Sequence, residues 1–197
     1  MSHTKSSNVI KQVTLTSLEK EVIIGCLLGD GSLDCAGKEY RLRVEHKADH
    51  KEYVLWKYAF LKRLCLTAPQ YVSTHDSYRF GTVGHAEITR LRKSFYVNGI
   101  KIIPDDLSIT PLMLAILFMD DGCKIHSTAS LALHAYSLKE INHILVELNK
   151  YNVRGSVQKD GHGEAKRLYI KTASYETFKK LVESYVKDVS CMTCKLV

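Results

Sequence analysis

The sequence predicts an α+β protein built from two similar halves, each with the element order α-β-β-α-β-β-α. Two apolar helices of the same kind, at residues 17–30 and 111–121, each end at an aspartate that glycine follows. A strand with alternating polarity, an amphipathic helix, a strand pair and a last helix then follow each apolar helix in the same order. An internal duplication explains this repetition better than two unrelated helices do.

Start and stop signals define both apolar helices. Thr16 opens the first with the pattern of a capping box, and Gly31 is expected to end it. Thr110 precedes the second, Pro111 takes its first helical position, and Gly122 is expected to stop it.

The remaining elements are assigned from hydrophobic periodicity. The first half is expected to contain a strand at residues 40–47, a helix at 50–64, strands at 71–74 and 78–83, and a helix at 87–95. The aromatic residues of the helix at 50–64, which include Trp56 and Phe60, are expected to face the core. Their counterparts are a strand at 131–136, a helix at 138–151, strands at 153–159 and 167–172, and a helix at 175–186. Residues 98–109 form the predicted linker, so the halves are residues 1–97 and 110–197.

The composition indicates a packed, basic protein. Hydrophobic residues make up 45% of the chain, which excludes general disorder, and the net charge of +7 favours an anionic partner such as nucleic acid. The longest apolar runs are too short to cross a bilayer, so no membrane segment is expected. Residues 1–20 resemble neither a secretory signal nor a transit peptide. The six cysteines are scattered and are expected to be reduced thiols.

The two aspartates at the helix ends suggest a metal site. The partial negative charge of a helix C-terminus disfavours an aspartate there by about 0.3–1 kcal/mol. A bound cation would offset this cost, and Mg²⁺ prefers carboxylate and carbonyl oxygens. Asp30 and Asp121 are therefore the candidate ligands, with Gly29 and Asp120 beside them, while a solvated helix end is the alternative.

Each aspartate has a lysine at nearly the same distance further along the chain. Lys101 lies in the sequence Lys-Ile-Ile-Pro, and Lys195 lies in Lys-Leu-Val. A lysine near a reacting phosphate can stabilise developing charge or polarise the attacking water. The repetition makes both lysines candidate catalytic residues.

The segments IIGCLLGDG from Ile23 and LAILFMDDG from Leu114 resemble the two copies of the LAGLIDADG homing endonuclease motif, as found in the monomeric double-motif branch. The resemblance covers nearly the whole chain. It implies that the motif helices pack at a pseudo-dyad, that four-stranded antiparallel sheets form saddles on DNA, and that the eighth motif residues, Asp30 and Asp121, bind metal. One departure is the third motif position, which is Gly25 in the first copy and Ile116 in the second.

The resemblance also indicates which side chains face DNA, because the strands alternate. The candidates in the first half are Arg41, Arg43, Lys47 and Arg79, and those in the second are Arg154, Gln158, Arg167, Tyr169 and Lys171. An ordinary solvated sheet face is the alternative for any one of them. The sequence Asp-Gly-His-Gly at residues 160–163 predicts a flexible loop at the DNA flank.

The expected function is that of a monomeric endonuclease that hydrolyses both strands of a long double-stranded DNA site. The resemblance further implies that the cuts leave short 3′ overhangs. The expected cofactor is Mg²⁺, with Mn²⁺ or Ca²⁺ able to substitute in binding. An intron RNA maturase on the same fold is the first alternative, with intron RNA as partner, and a DNA-binding regulator is the second. The compartment is an organelle if an organelle intron encodes the protein, and otherwise the cytoplasm.

Overall fold

The computed structural model describes residues 5–159 and 166–196, so the predicted loop at residues 160–163 lies outside the described residues. The chain divides into two compact units, Met1–Ile100 and Lys101–Val197. The assignment of residues 98–109 as a linker stays a prediction. Among the described residues, no helix is both long and apolar enough to cross a membrane.

The first unit contains the expected α-β-β-α-β-β-α order, with an additional helix at its start and an additional short strand at its end. Its helices are α1 (Lys5–Gln12), α2 (Ser17–Leu28), α3 (Lys51–Leu61) and α4 (Ala86–Phe95). Its strands are β1 (Ser32–Ala36), β2 (Glu39–Lys47), β3 (Gln70–Val72), β4 (Ser77–Gly81) and β5 (Tyr96–Val97). The strands form an antiparallel sheet in the order β1-β2-β4-β3, while β5 pairs with β6 (Ile100–Lys101).

The second unit repeats this order. Its helices are α5 (Pro111–Asp121), α6 (Leu138–Lys150) and α7 (Tyr175–Lys187), and the 3₁₀ helix Ser190–Lys195 follows α7. Its strands are β7 (Gly122–Ile125), β8 (Thr128–Ala132), β9 (Gly155–Lys159) and β10 (Lys166–Ile170). They form an antiparallel sheet in the order β7-β8-β10-β9, which matches the strand order of the first unit. The predicted α+β class with antiparallel sheets is confirmed.

The two apolar helices have the predicted caps. The Thr16 side chain accepts from the Glu19 backbone N–H, and the Glu19 carboxylate accepts from the Thr16 backbone N–H, which completes the capping box of α2. The Thr110 side chain accepts from the Met113 N–H at the start of α5. These polar starts fix where each buried helix begins.

Several predicted boundaries and one predicted helix face are wrong. The strand expected at residues 131–136 ends at Ala132, because the chain then turns and the Tyr136 N–H donates to the Leu133 carbonyl. The first apolar helix ends at Leu28 rather than at residue 30, with Gly29 as its cap. On α3 the buried face carries Tyr53, Val54, Lys57 and Leu61, whereas Trp56 and Phe60, expected in the core, are only half-buried.

Candidate functional site

The end of α2 presents Asp30 to solvent. The Gly29 N–H donates to the Gly25 carbonyl, and the Gly31 N–H donates to the Cys26 carbonyl at 2.7 Å. A Cβ atom on Gly31 would lie 2.7 Å from the Cys26 Cβ, so the chain can fold back over the helix end only if this residue is glycine. The Asp30 side chain is left 52% exposed, where it can reach a ligand.

Two side chains that the sequence analysis did not single out stand behind Asp30. The Nδ1 atom of His46 on β2 lies 3.7 Å from the Asp30 Oδ2, and the His46 side chain is only 7% exposed. The Nζ atom of Lys57 on α3 lies 3.0 Å from the His46 Nε2 and 4.1 Å from the centre of the Tyr53 ring. Lys57 is fully buried. The side chains of Asp30, His46 and Lys57 therefore form a row of polar groups that extends from the surface into the core of the first unit.

The end of α5 carries two acids, Asp120 and Asp121, and both are half-buried. The Gly122 N–H donates to the Phe118 carbonyl, and β7 begins at this same glycine. A Cβ atom on Gly122 would lie 2.1 Å from the Phe118 Cδ2 and 2.5 Å from the Phe118 carbonyl oxygen, which again requires glycine. As at Asp30, the carboxylates stand where a buried helix passes directly into the sheet.

Lys195 caps the end of α5. Its Nζ lies 2.5 Å from the Met119 carbonyl oxygen and 2.9 Å from that of Gly122. The carbonyl oxygens of Phe118 and Asp120 lie slightly further away, at 3.4 and 3.3 Å. Burial lowers the pKa of Lys195, and the nearby charges of Asp120 and Asp121 partly counteract this. The ammonium therefore supplies positive charge at the helix end, a role for which the sequence argument had invoked only a metal.

The other candidate lysine, Lys101, has a different local structure. It is half-buried and lies on the two-residue strand β6, whereas Lys195 lies on a 3₁₀ helix. The similar spacing of the two lysines from the aspartates therefore does not produce similar local structures.

The carboxylate chemistry fits a hard divalent ion at each helix end. Asp30 offers exposed oxygens, and Asp120 and Asp121 offer two further carboxylates. The Asp120 carbonyl oxygen already accepts from the Lys195 ammonium, so in the second unit the side chains are the better-suited ligands. The carboxylates of Asp30, Asp120 and Asp121 are therefore the candidate ligands.

The exposed face of the first sheet brings together the four basic residues predicted for it: Arg41, Arg43, Lys47 and Arg79. The residues between them on β2, Leu42 and Val44, are buried on the opposite face. The register pairs Glu45 with Arg79, which places β4 in line with the basic face. Arg41, Arg43 and Arg79 also line a concavity of about 240 Å³ together with Gln70.

An acidic residue that was not among the predicted site residues, Glu45, lies within this basic face. The Glu45 carboxylate lies 2.6 Å from Arg43 Nη2 and accepts from the Ser77 hydroxyl at 2.7 Å. The His75 Nδ1 lies 3.0 Å away and Arg79 Nη1 3.8 Å away. The hydrogen bond from Arg43 outweighs burial and lowers the pKa of Glu45 to about 2. Glu45 is therefore ionised at neutral pH and holds Arg43 in place.

The second sheet has a corresponding polar face. Arg167 pairs with Gln158 and Tyr169 with Ser156, while Leu168 and Ile170 are buried on the other side. Arg154 and Lys171 are exposed but lie just outside the strands, because β9 begins at Gly155 and β10 ends at Ile170. The Arg167 Nη1 lies 3.4 Å from the Ser130 hydroxyl oxygen, so this guanidinium is positioned by the sheet itself.

Comparison with known proteins identifies the family. A family model described as the LAGLIDADG DNA endonuclease family matches residues 20–178. The chain belongs to this family. The LAGLIDADG motif helices are α2 and α5, so the resemblance noted in the two sequence segments is confirmed.

Relatives of this LAGLIDADG protein include both nucleases and maturases. It is 29% identical over 181 residues to the cytochrome b mRNA maturase bI2 of Debaryomyces hansenii, covering 84% of this chain and 69% of the relative. It is 26% identical over 212 residues to the DNA endonuclease I-ChuI of Chlamydomonas applanata, covering 93% and 96% of the two chains. The solved structure of the homing endonuclease I-WcaI bound to its DNA recognition sequence has a TM-score of 0.86 and 26% identity, covering 100% of this chain and 94% of that one.

The two LAGLIDADG helices differ at the third motif position, as the sequence indicates. Gly25 on α2 is buried, and so are Ile116 and its neighbour Ala115 on α5. At this motif position α5 therefore carries a branched side chain, whereas α2 carries none.

Proposed function

We propose that this protein is a site-specific endonuclease that cuts both strands of double-stranded DNA with the help of divalent metal ions. The observation that carries the proposal is the repeated placement of a carboxylate at the end of a LAGLIDADG helix: Asp30 after α2 and Asp121 at the end of α5. The solved relative I-WcaI is described as bound to its DNA recognition sequence, which supports DNA as the partner.

Asp30 and Asp121 would hold the metal, with the Asp120 carboxylate and the Gly29 carbonyl as further oxygen donors. A bound divalent ion lowers the pKa of its water and stabilises charge on the phosphate. The chain's own residues fix the two acids in place: the Gly31 amide closes the end of α2, and the Lys195 ammonium closes the end of α5. Mg²⁺ is the proposed physiological ion, and Mn²⁺ or Ca²⁺ would occupy the same oxygens.

The two sheet faces would bind the DNA target. Guanidinium groups can contact guanine edges or phosphates with two hydrogen bonds each. In the first unit the proposed contacts are Arg41, Arg43, Lys47 and Arg79, and in the second they are Arg154, Gln158, Arg167, Tyr169 and Lys171. Positioning of Arg43 by Glu45 and of Arg167 by Ser130 favours base reading by these two arginines, because a fixed side chain loses less conformational entropy on binding.

The experiment is cleavage of a randomised duplex-DNA library in Mg²⁺, followed by sequencing of the ends. We expect defined double-strand cuts with the wild-type protein and none with Asp30→Asn or Asp121→Asn, since the amide removes the charge and preserves the size. Asp106→Asn is the matched control, because Asp106 is an exposed acid that belongs to neither helix end. Cuts that persist in both helix-end variants would refute the two-acid site.

Lys101 and Lys195 belong to the proposal as groups that stabilise charge in the reaction. The carbonyl contacts of Lys195 favour an indirect role, in which the lysine orients Asp120 and Asp121. Lys195→Met should therefore lower both the cleavage rate and the melting temperature, and Lys101→Met should lower the cleavage rate. An unchanged melting temperature for Lys195→Met would contradict its indirect role.

A second candidate function, assistance of intron splicing, is favoured by one observation. The relative that is 29% identical over 84% of this chain is described as a cytochrome b mRNA maturase. Binding to the host intron RNA, measured with and without Mg²⁺, separates the two functions. Tight RNA binding that survives Asp30→Asn, with no cleavage of DNA by the wild-type protein, would replace the endonuclease proposal by the maturase.

A further inference from the structure

We infer that His46 and Lys57 form a relay that directs an N–H group at Asp30, which makes His46 a positioning residue for the carboxylate rather than a metal ligand. This inference rests on the proposed role of Asp30. It follows from three contacts within the first unit, which join α3, β2 and the end of α2.

The first step is the burial of Lys57. Lysine is almost never fully buried in a protein unless its ammonium has a partner. Lys57 has no exposed surface and occupies the same face of α3 as Tyr53 and Leu61, both of which are core residues. Its Nζ has the Tyr53 ring at 4.1 Å and the His46 Nε2 at 3.0 Å. The side chain is therefore held in the core by an aromatic face and an imidazole nitrogen.

The second step concerns the proton on His46. A lysine ammonium has three N–H donors and no acceptor, so the imidazole nitrogen that it contacts must offer a lone pair. The contact is made to Nε2. A neutral imidazole carries its proton on the other nitrogen, so Lys57 selects the tautomer with hydrogen on Nδ1. This is the nitrogen that faces Asp30.

The third step is the consequence for Asp30. The separation of 3.7 Å between His46 Nδ1 and Asp30 Oδ2 is longer than a direct hydrogen bond and within the range of a charge contact. A protonated Nδ1 points a positive dipole at the carboxylate, and the lone pair of Nε2 is already used by Lys57, so neither nitrogen is available to a metal. The relay offsets the unfavourable field of the α2 C-terminus, as the Lys195 ammonium does for α5.

The test is the tautomer of His46, observed by long-range ¹H–¹⁵N correlation on protein labelled with ¹⁵N-histidine. The spectrum is recorded at a pH of about 8, where imidazole is neutral, and the His46 signals are assigned by their loss in His46→Asn. We expect a proton on Nδ1 and a lone pair on Nε2 in the wild-type protein. A proton on Nε2 would overturn the inference, and this result does not depend on DNA cleavage.

A second measurement separates positioning from metal ligation. His46→Ala should lower the cleavage rate by roughly 10–100-fold, as the loss of a partner behind a metal ligand does. His46→Asn keeps an N–H donor near the place of Nδ1 and should recover most of the rate, whereas His46→Gln places its amide near Nε2 and should not. Equal rates for the Asn and Gln variants would overturn the positioning role. If the wild-type protein does not cleave, the proposed function fails while the tautomer still tests the relay.

Discussion

Replacement of Lys195 by methionine tests how much the C-terminal lysine contributes to the end of α5. Methionine retains most of the aliphatic chain and removes the ammonium that contacts the carbonyl oxygens of Phe118, Met119, Asp120 and Gly122. The three N–H groups of the Lys195 ammonium can form three hydrogen bonds at one time.

The expected loss follows from two opposing contributions. A hydrogen bond that involves a charged group contributes about 1.5–3 kcal/mol to stability. Burial of the ammonium costs several kcal/mol and offsets most of the gain from three such bonds. We therefore expect Lys195→Met to lower the free energy of unfolding by about 3 kcal/mol, since it also leaves helix-end carbonyls without a donor. For a chain of this size, the melting temperature should fall by roughly 6–12 °C.

The assay is thermal unfolding followed by calorimetry, with Lys187→Met as the matched control. Lys187 is an exposed lysine on α7 that forms a surface ion pair with Glu183, so its loss should leave the melting temperature unchanged. A fall of less than about 2 °C for Lys195→Met would refute the argument that the ammonium stabilises the end of α5.

Three further substitutions have expected outcomes. Gly122→Ala should destabilise the protein by about 3 kcal/mol or more, because the new Cβ collides with Phe118, and urea unfolding measures this. Arg63→Ala should cost about 2 kcal/mol in the same assay, because it removes the guanidinium that pairs with the buried Glu19 carboxylate. Glu45→Gln should cost on the order of 2 kcal/mol at neutral pH, because the charge that binds Arg43 is lost. The pKa of Glu45 is lowered to about 2, so its stabilisation is complete above its ordinary pKa and disappears as the pH falls towards 2. The difference in melting temperature between wild type and Glu45→Gln should therefore shrink between pH 5 and pH 2.

Each of these substitutions has a control elsewhere in the chain. Gly81→Ala places its Cβ at 3.3 Å from the nearest atom and should cost much less than Gly122→Ala. Arg90 is exposed, and its ion pair with Glu87 is long, with 3.9 Å between Nη2 and Oε2. Arg90→Ala should therefore leave stability nearly unchanged. Glu176 is exposed on α7, and Glu176→Gln should show no comparable change with pH. A substitution that behaves like its control would show that the contact assigned to it does not stabilise the fold.

The parts of the fold that the sequence predicted are those with local signals. The capping box at Thr16 and the Thr-Pro start at residues 110–111 depend on neighbouring residues, and both helices begin where these signals place them. Alternation located β2 because one of its faces is buried and the other is charged. Strands β1 and β7 were not located, because each is short and starts within three residues of a helix cap.

The parts that could not be predicted depend on contacts between residues far apart in the sequence. Aromatic residues set the expected face of α3, yet the buried face includes Lys57, which apolar periodicity does not select. Its burial depends on His46, which is contributed by another element. Lys195 was identified by its spacing from Asp121, but its contacts with the carbonyl oxygens of α5 require the fold of the C-terminal segment.

For the proposed endonuclease function, the junction between helix and sheet has a consequence for attempts to change the DNA target. Only the cap Gly29 and residues Asp30 and Gly31 separate α2 from β1, and β7 begins at the residue after Asp121. A displacement of either sheet, as it adjusts to a different DNA sequence, is therefore transmitted through very few bonds to the acid at its edge. Redesign of the strands for a new sequence should change the turnover rate as well as the affinity, and variants selected only for tight binding should often cut slowly.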